Sequence, residues 1–185
     1  DGTLWCEHPM PVQIIAILDA LAMAVQQDPT LAEKPLYRAA AEKDSAWFSP
    51  YMSTARMPEL VGMMLEAGAG EPQADFEHRV TAWLETARHP RFDKTYTQLV
   101  FQPMVELLGF LRANDFRVFI VSGGGMDFVR LFCEEVYGVP RENVVGSNMN
   151  LSWEFRHGEP LLVRQAGLAG RFNDSTGKPI NIQLH

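Results

Sequence analysis

Three short stretches carry residue types able to do chemistry on an anion: Asp1-Gly2-Thr3, Ser122-Gly123-Gly124-Gly125 and Gly177-Lys178-Pro179. The middle one is the most explicit. Phe116 to Val121 is rich in β-branched and aromatic residues and ends at Ser122, and three glycines follow. From Met126 to Tyr137, Val129, Phe132, Cys133 and Val136 fall at the spacing of one helical face. The pattern predicts strand, tight turn, helix. Glycines let backbone N–H groups approach a ligand, and a helix start adds partial positive charge, so such a junction suits a phosphate. A turn that simply requires glycines gives the same pattern. A Gly-x-Gly-x-x-Gly dinucleotide fingerprint is not met, because Phe128 stands where the third glycine belongs. Asp1-Gly2-Thr3 opens the chain with no strand before it; it reads either as an arbitrary terminus or as the tail of a longer motif.

The elements that must position these stretches fall into two textures. Ile14, Leu18, Leu21 and Val25 line one face from Pro11 to Gln27, and Pro11 suits a first helical turn. Leu36 to Trp47 is alanine-rich and predicted helical. Met57, Leu60, Val61, Met64 and Leu65 form a third stripe, stopped by Gly68-Ala69-Gly70. Phe76, Val80, Trp83, Leu84 and Ala87 form a fourth, closed by His89-Pro90. After residue 96 the pattern alternates. A helix is predicted from Pro103 to Asn114, then the Phe116 strand, the 126–137 helix and a short strand over Asn143–Ser147. Leu151–Phe155 and Pro160–Arg164 flank a turn and predict a hairpin. Gly167 to Pro179 reads as a loop carrying Lys178, and Ile180 to Leu184 as the start of another element. Helices alternating with strands predict an α/β layer with parallel strands, with the helical block set on it.

The chain has 185 residues, a 46% hydrophobic composition and a net charge of −7. That balance argues against nucleic acid or an anionic membrane surface as the main partner, while leaving a small anionic substrate open. No apolar run approaches the ~20 residues of a transmembrane helix. Cys6 and Cys133 are the two cysteines, and with no Cys-x-x-Cys a zinc ribbon or thioredoxin-like site is unsupported. Whether they pair, the compartment and the oligomeric state are left open.

In their order and setting the three stretches resemble the motifs of the haloacid dehalogenase superfamily, most closely its phosphoserine-phosphatase-like branch, over almost the whole chain. Asp1-Gly2-Thr3-Leu4 matches the end of the first motif, Asp-x-Asp-Gly-Thr-Leu; Ser122-Gly123-Gly124 matches the second; Lys178 matches the third. The resemblance implies an α/β fold: a Rossmann-like parallel-sheet core (residues 1–9 and 96–185) with an inserted all-helical cap (10–95). It implies a Mg²⁺-dependent phosphomonoester hydrolase acting on a small phosphorylated metabolite through an aspartyl-phosphate. Asp1 would protonate the leaving alkoxide and then activate water, and its backbone carbonyl would bind Mg²⁺. Thr3 would help position the turn. Ser122, Gly123 and Gly124 would bind phosphate oxygens, and Lys178 would neutralise the nucleophile and the developing phosphoryl charge. Glu7 and His8 are candidate cap contacts, with Lys43, Asp44 and Trp47 as further residues that could face the pocket. The residue types suit the chemistry: phosphoryl transfer depends on alignment and charge neutralisation, and a carboxylate nucleophile forms a mixed anhydride that water can open.

The chain also departs from the pattern. The first aspartate of the first motif would lie two residues before Asp1, and the acidic fourth motif beyond His185. The expectation is therefore a portion of a longer enzyme, with little or no activity from these residues alone. Three alternatives stand beside the hydrolase. A 2-haloacid dehalogenase of the same fold would not need Asp1 to protonate a leaving group. A phosphotransferase would pass the phosphoryl group to a hydroxyl rather than to water. A non-catalytic scaffold would keep only the phosphate site.

Overall fold

The computed structural model describes residues 2–53 and 55–185. Helix α1 (Val12–Gln27) follows Pro11, whose missing N–H costs nothing at a helix start. It ends at Asp28, whose carboxylate turns to the next element and accepts from Thr30 N and Oγ1 at 3.0 and 2.6 Å. Those bonds hold its carboxyl below the usual carboxylate range. The helix predicted over 36–47 is broken in two: α2 (Pro35–Glu42) stops at Lys43, which takes the left-handed conformation (φ 53°), and α3 (Ser45–Phe48) starts afresh. The cause is local. Asp44 accepts from the Trp47 amide at 3.0 Å, and a carboxylate that caps a new helix competes with continuing the old one. Helices α4 (Met57–Ala67) and α5 (Gln73–Thr86) follow the predicted stripes, with Leu60 and Met64 buried in the first and Phe76, Val80 and Leu84 in the second.

Helix α6 (Gln102–Ala113) leads to β1 (Ile120–Gly125). The predicted strand over 116–121 pairs only from Ile120, because its partner β2 (Val144–Ser147) begins opposite that residue; Phe116 is left 62% exposed. β1 and β2 are parallel, in register at Ile120–Val144 and Val121–Val145, with a shift before Gly125–Ser147. The predicted 126–137 helix is divided into α7 (Met126–Val129) and α8 (Cys133–Tyr137). Arg130, at the break, is drawn to the carbonyl of Arg141 at 2.9 Å. Gly138 at φ 62° ends α8, and β2 enters wholly buried. β3 (Met149–Arg156) and β4 (Glu159–Leu168) form the expected antiparallel hairpin. Its turn uses positive φ at His157 and Gly158, the two-residue reversal that matches strand twist. The chain then forms α9 (Gly177–Leu184), which places Lys178 in a helical first turn rather than in the predicted loop. The result is a mixed helix and strand fold with a small parallel sheet.

Two apolar clusters hold these elements. One is made by α1 to α4, through Ile14, Leu21, Leu36, Phe48, Leu60 and Met64. The other joins Val12 and Ala16 of α1 and the inner face of α5 to Trp5, Tyr96, Leu108, Phe128, Phe132, Tyr137 and Val144. α1 therefore sits in both, and the second cluster crosses residue 95. Cys6 and Cys133 are both free thiols, and burial in the second cluster pushes the Cys133 thiol up. Among the described residues, no helix is long and apolar enough to cross a membrane.

Candidate functional site

β1 ends in the glycine run, and three networks fix that run in place. The first lies below it. Asn173 is fully buried; its Nδ2 donates to the carbonyls of Ser122 (2.6 Å) and Val145 (3.1 Å), and its Oδ1 accepts from Asn181 of α9 (3.1 Å). Ser147 at the end of β2 completes it: its Oγ donates to the Gly123 carbonyl (3.0 Å) and accepts from the Asn173 amide (3.0 Å). One buried side chain thus ties the tip of β1, the tip of β2 and α9 together, and so sets where Lys178 stands relative to Ser122.

The second network lies within the turn. Ser122 Oγ accepts from the Gly124 amide at 3.1 Å, which leaves the hydroxyl proton to donate elsewhere. The third comes from above. Gln13, in the first turn of α1, accepts the Gly125 amide on Oε1 at 2.7 Å. A Cβ added at Gly124 would stand 3.1 Å from that oxygen, and one at Gly125 would stand 2.7 Å from Gln13 Nε2. The Gln13 carboxamide packs closely on both glycines, and a side chain at either would have to displace its end; Gly125 itself sits at an ordinary φ of −63°. At the neighbouring Gly146 a Cβ would meet the backbone of Met126 at 2.7 Å, so the floor beside the turn is equally tight.

These elements border a cleft of about 1550 Å³. Thr3, Glu7, Ser122, Gly123, Gly124 and Lys178 all line it, although they come from the start, middle and end of the chain. Asp1, assigned acid–base work on sequence grounds, lies outside the described residues. His8 is not among the cleft-lining residues. It is exposed, and its backbone carbonyl instead accepts from the buried His89 Nε2 at 2.8 Å. Lys43, Asp44 and Trp47 do not line it either: the first two form the α2–α3 break and Trp47 packs on Phe48 and Tyr51.

Residues that sequence reasoning did not single out also line the cleft. Gln13 is one. Asp127 of α7 and Arg164 of β4 are two more; they form an ion pair in which Arg164 is buried and Asp127 partly buried, with Arg164 also donating to Gln73 Oε1 of α5 at 2.8 Å and lying 3.7 Å over the Phe76 ring. This pair joins the hairpin, α7 and α5 directly beside the glycine turn. Asp174 and Tyr137 line it as well. Burial first, and the Glu7 charge second, push the Tyr137 hydroxyl well above the ordinary tyrosine range. That hydroxyl has no hydrogen-bond partner among the described residues. The signals for these residues were weak. Gln13 is a polar residue between the buried Val12 and Ile14. Arg164 is a charge at a buried strand position, and Asn173 sits in a stretch whose composition reads as loop.

The cleft can do three things chemically. It offers the Ser122 hydroxyl at a turn whose Gly124 and Gly125 amides are already engaged, a cation from α9, and carboxylates at Glu7 and Asp174. Among the described residues, no three His, Cys, Asp or Glu side chains converge on a metal position. No family model matches the chain, and no curated protein matches it significantly.

Proposed function

We propose that this chain carries the phosphoryl-binding half of a phosphomonoester hydrolase of the haloacid dehalogenase type, with a Rossmann-like core and a helical cap, acting on a small phosphorylated metabolite. The observation that supports it is the convergence of Thr3, Ser122, Gly123, Gly124 and Lys178 on one cleft. In this reading the Ser122 hydroxyl, which keeps its proton to donate because its oxygen accepts the Gly124 amide, holds a non-bridging oxygen, while the Gly124 and Gly125 amides, engaged by Ser122 and Gln13, brace the turn. Lys178 offsets the charge that develops as the phosphoryl group moves.

A carboxylate two residues ahead of Asp1 would attack phosphorus, and the ester P–O bond would break as Asp1 protonates the departing alkoxide. Water would then attack the aspartyl-phosphate, giving its proton to Asp1 and releasing phosphate. Mg²⁺ enters the proposal through the Asp1 carbonyl and would neutralise phosphoryl charge when bound. The described residues supply no ligand cluster of their own, and no step above is routed through the ion.

The test uses the full-length protein with p-nitrophenyl phosphate and Mg²⁺, beside chloroacetate as a dehalogenase substrate. The expected result is phosphate release, no chloride release, and a loss of about a hundredfold in kcat/KM in Ser122→Ala and Lys178→Ala. Chloride release, or phosphate release indifferent to both substitutions, would contradict it.

A further inference from the structure

Gln13 holds a position that the hydrolase reading does not use. Its carboxamide lies closely against the Gly124–Gly125 peptide. Its Oε1 is committed to the Gly125 amide at 2.7 Å. Its Nε2 donates to no protein group among the described residues, while the side chain lines the cleft. A primary amide held rigidly by its oxygen presents its nitrogen as an oriented donor with two protons to give. The Ser122 hydroxyl is its neighbour at Gly124, the Asp127 carboxylate, itself paired with Arg164, is its neighbour at Gly125, and Lys178 lines the same cleft. An acceptor-rich anion complements the amide nitrogen, the hydroxyl and the lysine.

From this we infer that Gln13 is a substrate-binding residue whose Nε2 donates to an oxygen of the bound phosphoryl group. The inference rests on the phosphomonoester reading and deepens it. It also assigns α1 a second task. The helix contributes Ile14 and Leu21 to the helical cluster and Val12 and Ala16 to the other cluster, and Gln13 lies between Val12 and Ile14. The helical block would therefore reach the phosphoryl group itself, and movement of α1 would change phosphate affinity.

The experiment compares Gln13→Glu and Gln13→Met with wild type in the full-length protein. Glu keeps an oxygen for the Gly125 amide but offers the ligand a negative charge and no donor; Met fills the same space with neither donor nor acceptor. The readouts are KM for p-nitrophenyl phosphate, the inhibition constant of inorganic phosphate, and the melting temperature.

A tenfold or greater weakening of phosphate inhibition in both variants, with Gln13→Glu melting within a few degrees of wild type, is the expected result. A purely structural glutamine would give the reverse: Gln13→Glu near wild type in phosphate inhibition, with only Gln13→Met impaired through stability. That pattern would overturn the inference while leaving the hydrolase reading intact. Should Gln13→Glu fail to fold, unaltered phosphate inhibition in Gln13→Met would overturn it equally. Wild-type protein that neither hydrolyses the ester nor is inhibited by phosphate would overturn the hydrolase reading, and this inference with it.

Discussion

The two pairs of strands among the described residues are held by different means. β3 and β4 are adjacent in sequence, reverse over His157 and Gly158, and pair continuously from Leu151–Arg164 to Arg156–Glu159. Their ladder is local, and their outer face is apolar and exposed, with Trp153 at 63%. β1 and β2 are parallel, are separated in sequence by α7 and α8, and stay in register for only two pairs before a shift. So short a parallel ladder is weak in itself. What holds it is a set of buried side-chain amides and hydroxyls. Asn173 and Ser147 support the glycine end, and Asn143 donates to the Val118 carbonyl at 2.9 Å at the other end. Away from Val163 and Arg164, which are buried against the rest of the molecule, the hairpin is a backbone structure, whereas the parallel pair is a side-chain structure with a short backbone ladder. The candidate site is built on the second kind.

Substitutions should divide along that line. The largest effect is expected where the two regions meet. Arg164→Ala leaves the Asp127 carboxylate inside the cleft wall without its partner; removing one member of a buried pair costs about 3–5 kcal/mol, and the partial exposure of Asp127 puts the expected loss near the low end. Urea denaturation checks it, and a change below about 1 kcal/mol would mean that the hairpin root is not anchored there.

Asn173→Ala comes next. It strips the Ser122 and Val145 carbonyls of a donor where no water replaces it readily, for an expected loss of about 2–3 kcal/mol. It should also lower activity by displacing α9, through the lost contact to Asn181.

Tyr137→Phe is expected to act in the other direction. It deletes a buried hydroxyl that has no described partner, so stability should hold or rise by up to about 1 kcal/mol. The pH dependence has a definite sign. A raised folded-state tyrosine leaves its contribution intact below pH ~10 and loses it as pH rises beyond, because the unfolded phenol ionises first. The fall in melting temperature from pH 8 to pH 11 should therefore be smaller in Tyr137→Phe than in wild type.

The smallest effect belongs to the hairpin face. Trp153→Thr keeps β propensity and removes an exposed ring, and should change stability by less than about 0.5 kcal/mol.

The same division explains what was legible in the residues. The hairpin could be read directly, because alternation and turn chemistry are local signals. So could the stripes of α4 and α5, whose buried residues follow the helical period; α1 and α6 form as helices, but α1 also buries Val12 and Ala16 and α6 buries Leu108 alone and leaves Leu107 exposed. The break at Lys43–Asp44 was missed because an aspartate's capping bond outweighed helical continuity over an alanine-rich run. The strand start at Phe116 was placed too early because strand length is set by the partner, and β2 has only four residues. Of the residues singled out by their motifs, Thr3, Ser122, Gly123, Gly124 and Lys178 line the cleft. Gln13, Asp127, Arg164 and Asn173 were not singled out, because each matters through one contact to a residue far along the chain. His8, named with Glu7 as a candidate cap contact, is exposed and does not line the cleft.

The central claim is that the glycine turn and Lys178 form one phosphoryl site. Titrating inorganic phosphate into ¹⁵N-labelled full-length protein, and following the backbone amides, tests it most directly. The expected result is saturable shifts at Gly123, Gly124 and Gly125 that vanish in Lys178→Ala. Saturation with those three amides unmoved, or glycine shifts that persist unchanged without the lysine, would contradict it.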